Sequence, residues 1–180
     1  MPKEFNAHQL DVNAFAEAGA TLSGQDRVGA HERLLQETDG RGADQPIDWT
    51  VRGESRNPTH VQPQPWLHLT ASTVLSLSCQ RCLGPVDTPV EVDRWFRFVA
   101  DEATAQAQDE VSEEDVLALD REFDLLALVE DELLMAMPLV PRHDNCPEPV
   151  RLSAGEDTLP PEADRANPFA ALGRLKSGGH

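Results

Sequence analysis

The chain has 180 residues, enough for one domain with a hydrophobic core and too few for two ordinary domains. Hydrophobic residues make up 39% of it and aromatic residues only 5%, with no tyrosine, so part of the chain is not expected to join the core. The formal net charge of −17 argues against binding to naked nucleic acid, because such binding depends on Lys and Arg neutralising phosphates.

Three features of the sequence indicate the cellular location of the protein. The longest apolar runs, such as 125–129 and 133–140, are much shorter than the roughly 20 residues that cross a bilayer. Residues 1–17 contain no apolar core of a secretory signal. Three cysteines are an odd number and do not suggest a disulfide framework. We therefore expect a cytoplasmic protein with no membrane segment, whose cysteines are free thiols or metal ligands.

The N-terminal third carries weak helical signals. Residues 11–38 have helical signals at 11–17 and 25–38, but Gly19, Gly24 and Gly29 lower helix propensity by about 1 kcal/mol each relative to alanine. The sequence predicts short helices there, a loop over 38–46 and a strand over Ile47 to Val51.

The clearest pattern is an alternation of apolar and polar residues from Trp66 to Cys79. A second alternating segment, Thr88 to Val99, follows the turn at Leu83 and Gly84. The two segments are predicted to pair as an antiparallel hairpin whose tip carries Cys79 and Cys82.

Residues 101–122 have little apolar period and are predicted to be a solvated loop with at most a frayed helix. Order returns at a helix over 124–137, with Asp124 as its N-cap and proline at 138 as its stop. At 100° per residue one stripe of this helix is apolar. The stripe consists of Leu125, Leu126, Val129, Leu133 and Ala136.

These elements predict an α+β fold in one domain, residues 1–146, with its core in roughly 45–143. An antiparallel sheet built on the hairpin, partly open and barrel-like, packs against the amphipathic helix, and minor helices lie at the N-terminus. Residues 147–180 are predicted to be a largely flexible tail with a short helical segment that contains Asn167-Pro168-Phe169.

Two like-spaced pairs of metal-binding side chains stand out. Cys79-x-x-Cys82 is followed by Leu83-Gly84, as in a zinc-knuckle turn, and His143-x-x-Cys146 follows the helix. Together they make a complete Cys3His set for tetrahedral zinc. The alternative is that Cys79 is a small apolar residue on the buried face of its strand and His143 a polar loop residue.

The sequence gives little support for a catalytic function. A redox Cys-x-x-Cys normally opens a helix that lowers its thiol pKa, whereas this one lies between two strands. No nucleotide-binding, nucleophile-elbow or metalloprotease motif is present in the sequence. Glu130, Asp131 and Glu132 cannot converge on one substrate atom, since adjacent helical positions diverge by about 100°. We expect these three acids to form a solvated helix face available to a partner, and we expect no enzyme activity.

Charge is concentrated in one segment. Residues 101–132 contain thirteen acids and one base, a net charge of −12 that favours a basic protein as partner. Arg81, Arg94 and Arg97 flank the hairpin tip in the sequence and form the basis of the alternative, a zinc-knuckle protein that binds RNA directly. Three arginines are too few for an RNA groove by themselves.

Three segments resemble one known family. Cys79-Gln-Arg-Cys82-Leu83, the run from Asp124 to His143 and the run from Asn167 to Lys176 are similar, in order and approximate spacing, to the YceD-like large ribosomal RNA subunit accumulation proteins. The resemblance covers residues 65–176, and the N-terminal third matches only in length and strand pattern.

The resemblance implies a non-enzymatic role in ribosome biogenesis, in the accumulation or processing of large-subunit ribosomal RNA. It carries over no catalytic residues. Because the chain is acidic, we expect the partner to be a basic ribosomal protein or a large-subunit assembly intermediate.

Overall fold

The computed structural model describes residues 4–56 and 63–147, and within them the chain forms five strands, four α-helices and one short 3-10 helix. The element bounds, in chain order, are α1 Val12–Glu17, β1 Thr21–Arg27, the 3-10 helix Val28–Ala30, α2 Glu32–Glu37, β2 Pro46–Arg56, β3 Gln64–Ser78, β4 Pro85–Val99, α3 Glu102–Asp109, β5 Asp115–Ala118 and α4 Leu125–Ala136.

The strands form one sheet in the order β1-β2-β3-β4-β5. The first three pairings are antiparallel, and β5 pairs parallel to β4 after the α3 connection. The predicted hairpin is confirmed as the long β3–β4 pair, with Trp66 opposite Arg97 and Ser78 opposite Pro85. The α+β class is also confirmed, with a mixed, mostly antiparallel sheet that does not close into a barrel.

Two strands were not predicted. Residues 21–27 form β1, an edge strand on β2, although 25–27 had been expected to begin a helix. The expectation of a solvated loop over 101–122 that contains a helix allows for α3 but is wrong at β5, which pairs with the end of β4. Both strands are held by hydrogen bonds to longer neighbours rather than by an apolar pattern of their own.

The core lies on one face of the sheet. The alternating residues from Leu67 of β3 to Cys79, just after the strand, are buried as predicted, and Val90, Val92, Phe96 and Phe98 of β4 join them. Helix α1 packs closely on this face at Gly53, where a Cβ atom would lie 2.7 Å from Phe15 Cδ1. This contact explains a glycine in the middle of a central strand.

Helix α4 covers the same face near β3 and β4. Its N-cap is Asp124 as predicted, with Oδ1 accepting hydrogen bonds from the amides of Leu126 and Ala127 at 3.0 and 3.1 Å. The buried stripe is rotated from the expected one, because Leu128 is buried and Ala136 is exposed.

Helix α3 packs on the opposite face, at the β4–β5 end, through a small cluster of Val99, Ala105 and Val116. Among residues 4–56 and 63–147, none of the helices could span a bilayer. The predicted tail and its Asn167-Pro168-Phe169 segment lie outside the described residues, so the domain boundary at 146 stays a prediction.

Candidate metal centre

The hairpin tip is a tight turn built around the first cysteine pair. The amide of Cys79 donates to the Gly84 carbonyl, and the amide of Leu83 donates to the Cys79 carbonyl, both at 2.8 Å. Leu83 has a φ of 61°, in the left-handed region that L side chains seldom adopt. The turn directs the amides of Arg81 and Cys82 toward the Cys79 sulfur and the amide of Gly84 toward the Cys82 sulfur.

The second pair arrives from the segment after α4. Met137 is extended before Pro138, which ends the helix, and the chain turns back toward the hairpin tip. The amide of Gln80 donates to the Pro141 carbonyl at 2.9 Å. This bond joins the turn to the segment that carries His143 and Cys146.

The four side chains converge. One ligand atom from each of Cys79, Cys82, His143 and Cys146 lies within 4.8 Å of the other three. The Cys79 and Cys146 sulfurs are 4.0 Å apart, and Cys82 Sγ lies 3.5 Å from His143 Nδ1. Tetrahedral zinc with ordinary bond lengths places two sulfurs about 3.8 Å apart and a sulfur and a nitrogen about 3.6 Å apart. The donor set is therefore spaced to hold a metal ion of this kind.

The backbone favours an ionised sulfur at Cys79. Burial of the thiol would raise its pKa, but amides of Cys82, His143 and Arg81 directed at the sulfur outweigh burial and lower the pKa to about 5. At Cys82 the Gly84 amide favours the thiolate, yet burial and the two neighbouring sulfurs raise the pKa overall. A cation would relieve the repulsion between these sulfurs.

Arg81 is a further member of the site that sequence reasoning did not assign to it. Its Nη2 lies 3.3 Å from Cys146 Sγ, and this sulfur raises the pKa of the guanidinium. Arg81 lies between the two cysteines of the hairpin tip, so its proximity to both was visible in the sequence, but its contact with Cys146 depends on the return of the chain after α4.

The acids of α4 do not form the expected solvated face. Glu130 and Glu132 are buried, with 9% and 8% of their surface exposed, and Asp131 alone of the three is exposed. Arg33 of α2 bonds to Glu130 and pairs with Asp131. The expectation of solvation is wrong for Glu130 and Glu132, whereas the role of the three acids in partner binding stays a prediction.

Glu130 also caps another helix. Its Oε1 accepts hydrogen bonds from the amides of Arg33 and Leu34 at 2.8 and 3.3 Å, at the start of α2, where His31 provides no side-chain cap. Burial opposes ionisation of Glu130, but the bonds from Arg33 and from the two amides outweigh it and lower the pKa of this carboxyl.

The arginines expected near the tip are distributed differently. Arg94 and Arg97 lie roughly 30 and 40 Å, respectively, along β4 from the turn, at about 3.3 Å per residue. Arg94 pairs with Asp115, and Arg97 is buried against Glu114, Gln108 and Ser112. The cationic spot that the alternative reading needed is therefore reduced to Arg81.

The family model and the curated relative that match this chain carry the same name. The family model described as large ribosomal RNA subunit accumulation protein YceD matches residues 67–176, a range that contains all four candidate ligands. A curated relative from Haemophilus influenzae, named large ribosomal RNA subunit accumulation protein YceD, is 36% identical over 123 residues, which are 65% of this chain and 70% of that relative. No solved structure matches the chain. The chain belongs to the YceD family of large ribosomal RNA subunit accumulation proteins.

Proposed function

We propose that this protein is a non-enzymatic, cytoplasmic accessory factor of ribosome biogenesis that supports accumulation or processing of large-subunit ribosomal RNA. It does so by binding a basic ribosomal protein or a large-subunit assembly intermediate. Family membership is the observation that carries the role, and the net charge of −17 is the argument for a basic partner.

The structure refines the charge argument. Residues 101–132 have a net charge of −12, and three arginines from outside this segment, Arg33, Arg94 and Arg97, pair with its acids and reduce the sum to −9. The remaining charge lies largely on exposed side chains such as Glu102, Glu110 and Glu122. This excess accelerates encounter with a cationic partner and weakens with salt.

The Cys3His set binds zinc in this proposal, and the metal is structural. All four tetrahedral positions are filled by protein side chains, which leaves no open position for a substrate. The ion ties the hairpin tip at Cys82 to the segment at His143, 61 residues further along the chain. Zinc thereby fixes where the chain runs after α4.

Elemental analysis of protein purified without chelator tests the zinc assignment. We expect stoichiometric zinc in the wild type and in Gln80→Ala, a change in the same turn that removes no ligand, and loss of zinc in Cys82→Ser. A wild-type sample without zinc contradicts the assignment and leaves the ribosomal role standing.

The role itself is tested by affinity capture from a lysate at low and at high salt, with mass spectrometry and RNA analysis of what is bound. We expect large-subunit ribosomal proteins at low salt and a marked loss at high salt. Recovery of bare ribosomal RNA without ribosomal protein contradicts the proposed mechanism and favours the alternative of a zinc knuckle that binds RNA directly.

A further inference from the structure

The face of the sheet opposite the core carries an ordered set of polar and aromatic side chains. Strand register aligns them in rows across β1 to β4, and no helix in the described part of the chain covers these rows. The first row is Gln25, Asp48, Ser72 and Glu91. The second row is Ser23, Thr50, Thr70 and Asp93. The third row is Thr21, Arg52, His68 and Trp95.

The first two rows form a groove of about 880 Å³. Its floor is made of small hydroxyl side chains, and its charged groups are the carboxylates of Asp48, Glu91 and Asp93. No Lys or Arg lines it among the described residues. Glu91 is exposed and has no hydrogen-bond or ion-pair partner in residues 4–56 and 63–147. Asp48 accepts a hydrogen bond from the neutral Gln25 side chain, and Asp93 contacts His68 Nε2 at 2.6 Å. The groove thus presents three carboxylates on an open surface, one of them without a partner in the part of the chain described.

The third row leads into a stack of aromatic rings and a guanidinium. The His68 and Trp95 rings are stacked, with centroids 4.3 Å apart and planes 12° apart. The Arg56 Cζ atom lies 4.0 Å from the Trp95 centroid and 4.3 Å from the Trp66 centroid. Indole rings attract guanidinium groups through their negative faces, and at this end of the face the Trp95 ring is already covered by His68 and Arg56.

We propose that the groove of this face, with its acids Asp48, Glu91 and Asp93, binds an extended Lys- and Arg-rich protein segment. The inference rests on the proposed function and assigns a surface to its basic partner. Cationic side chains of the segment pair with Asp48, Glu91 and Asp93, the charged groups that line the groove. Single-stranded RNA is the poorer occupant, because its phosphates would meet three carboxylates and, among the described residues, no Lys or Arg side chain lines the groove.

A titration with the full chain tests the surface. The probe is a fluorescent peptide of alternating Arg and Ser, and its anisotropy reports binding at low salt. Asp48→Asn with Glu91→Gln removes two groove charges and is expected to weaken binding roughly three- to tenfold, as for the loss of two exposed ion pairs. Glu91→Lys, a reversal at one exposed position, is expected to weaken binding further than Glu91→Gln alone.

The matched control removes two charges elsewhere. Glu17→Gln with Glu122→Gln changes exposed acids on α1 and just before α4, the helices of the covered face, and is expected to stay within about twofold of wild type. Equal weakening by both double variants overturns the proposal, because it shows attraction to overall charge alone. Tighter binding of an oligouridine probe than of the peptide overturns it as well.

Lysate capture distinguishes failure of the proposed binding surface from failure of the proposed function. If the Asp48→Asn, Glu91→Gln protein still captures large-subunit ribosomal proteins from a lysate as wild type does, the surface is wrong and the proposed function stands. If wild type captures none, the proposed function fails whatever the peptide does.

Discussion

Replacing Glu130 by glutamine tests whether a buried carboxylate joins two helices. Glu130 accepts four hydrogen bonds, from the amides of Arg33 and Leu34 and from two nitrogens of the Arg33 guanidinium. The Glu130→Gln side chain keeps the shape and one acceptor oxygen but directs an amide N–H₂ toward the guanidinium. The ion pair is lost, and the cap of α2 is weakened.

The expected cost lies between two limits. Removing one partner of a fully buried ion pair costs about 3–5 kcal/mol, whereas an exposed pair contributes about 0–1 kcal/mol. The Glu130 side chain is 11% exposed and the Arg33 side chain 49%, so the pair is partly screened. We expect a loss of about 2 kcal/mol, which lowers Tm by roughly 4–8 °C in a chain of this length.

The pH dependence has a defined sign. The pKa of Glu130 is lower in the folded protein than in the unfolded chain, so its contribution is fully present above the unfolded value and is lost as pH falls through the folded one. The difference between wild type and Glu130→Gln is therefore largest near pH 7 and shrinks in acid.

Urea unfolding at several pH values measures this difference. Asp131→Asn is the matched control, since Asp131 pairs with the same arginine from an exposed position, and it is expected to cost less than about 1 kcal/mol. Equal effects of the two substitutions at pH 7, or a difference that does not vary with pH, would refute the assigned role of Glu130.

Three further substitutions or treatments have defined outcomes. Burial, with a lesser contribution from Asp115, raises the pKa of Glu132, so Glu132→Gln is expected to stabilise the fold by about 1 kcal/mol at pH 7 and by nothing below the ordinary glutamate pKa, as measured by urea unfolding. Chelation of zinc, or Cys82→Ser, removes the link that closes the 61-residue loop between Cys82 and His143. It is expected to lower the free energy of unfolding by up to about 4 kcal/mol in thermal melts, and an unchanged melt would show that no metal ion links the two segments. Gly53→Ala is expected to cost about 1–3 kcal/mol because its Cβ meets Phe15 at 2.7 Å, and a neutral effect in the same melts would contradict the close packing of α1.

The hairpin could be predicted from sequence because its information is local. Alternation over the whole of β3 fixes both the strand and its buried face, and the side chains from Leu67 to Cys79 follow it without a break. The capping of α4 by Asp124 is equally local, since the carboxylate and the amides that it accepts from lie within three residues. Such patterns depend on backbone geometry alone.

Strand β1 could not be predicted in this way. Its sequence, Thr21–Arg27, contains one large apolar residue, Leu22, and a glycine at 24 that leaves room for the Trp49 indole of β2. It is a strand because β2 offers an unpaired edge, and edge strands need little apolar pattern. The same reason applies to the four-residue β5.

The candidate metal centre could be predicted only in part from the sequence. The two spacings identified all four side chains, but their convergence depends on the return of the chain at Pro138 and on the bond between Gln80 and Pro141. The burial of Glu130 was not visible at all, because its partner Arg33 is 97 residues away in sequence. Long-range pairs of this kind override the helical period that had placed Glu130 on a solvated face.

We propose that this protein supports the accumulation of the large ribosomal subunit. Sucrose-gradient sedimentation of ribosomal particles from cells lacking the gene, with the gene restored in a parallel strain, tests it directly. We predict fewer mature large subunits and less large-subunit ribosomal RNA relative to the small subunit, with recovery when the gene is restored. An unchanged ratio of large to small subunits would contradict the proposed ribosomal role.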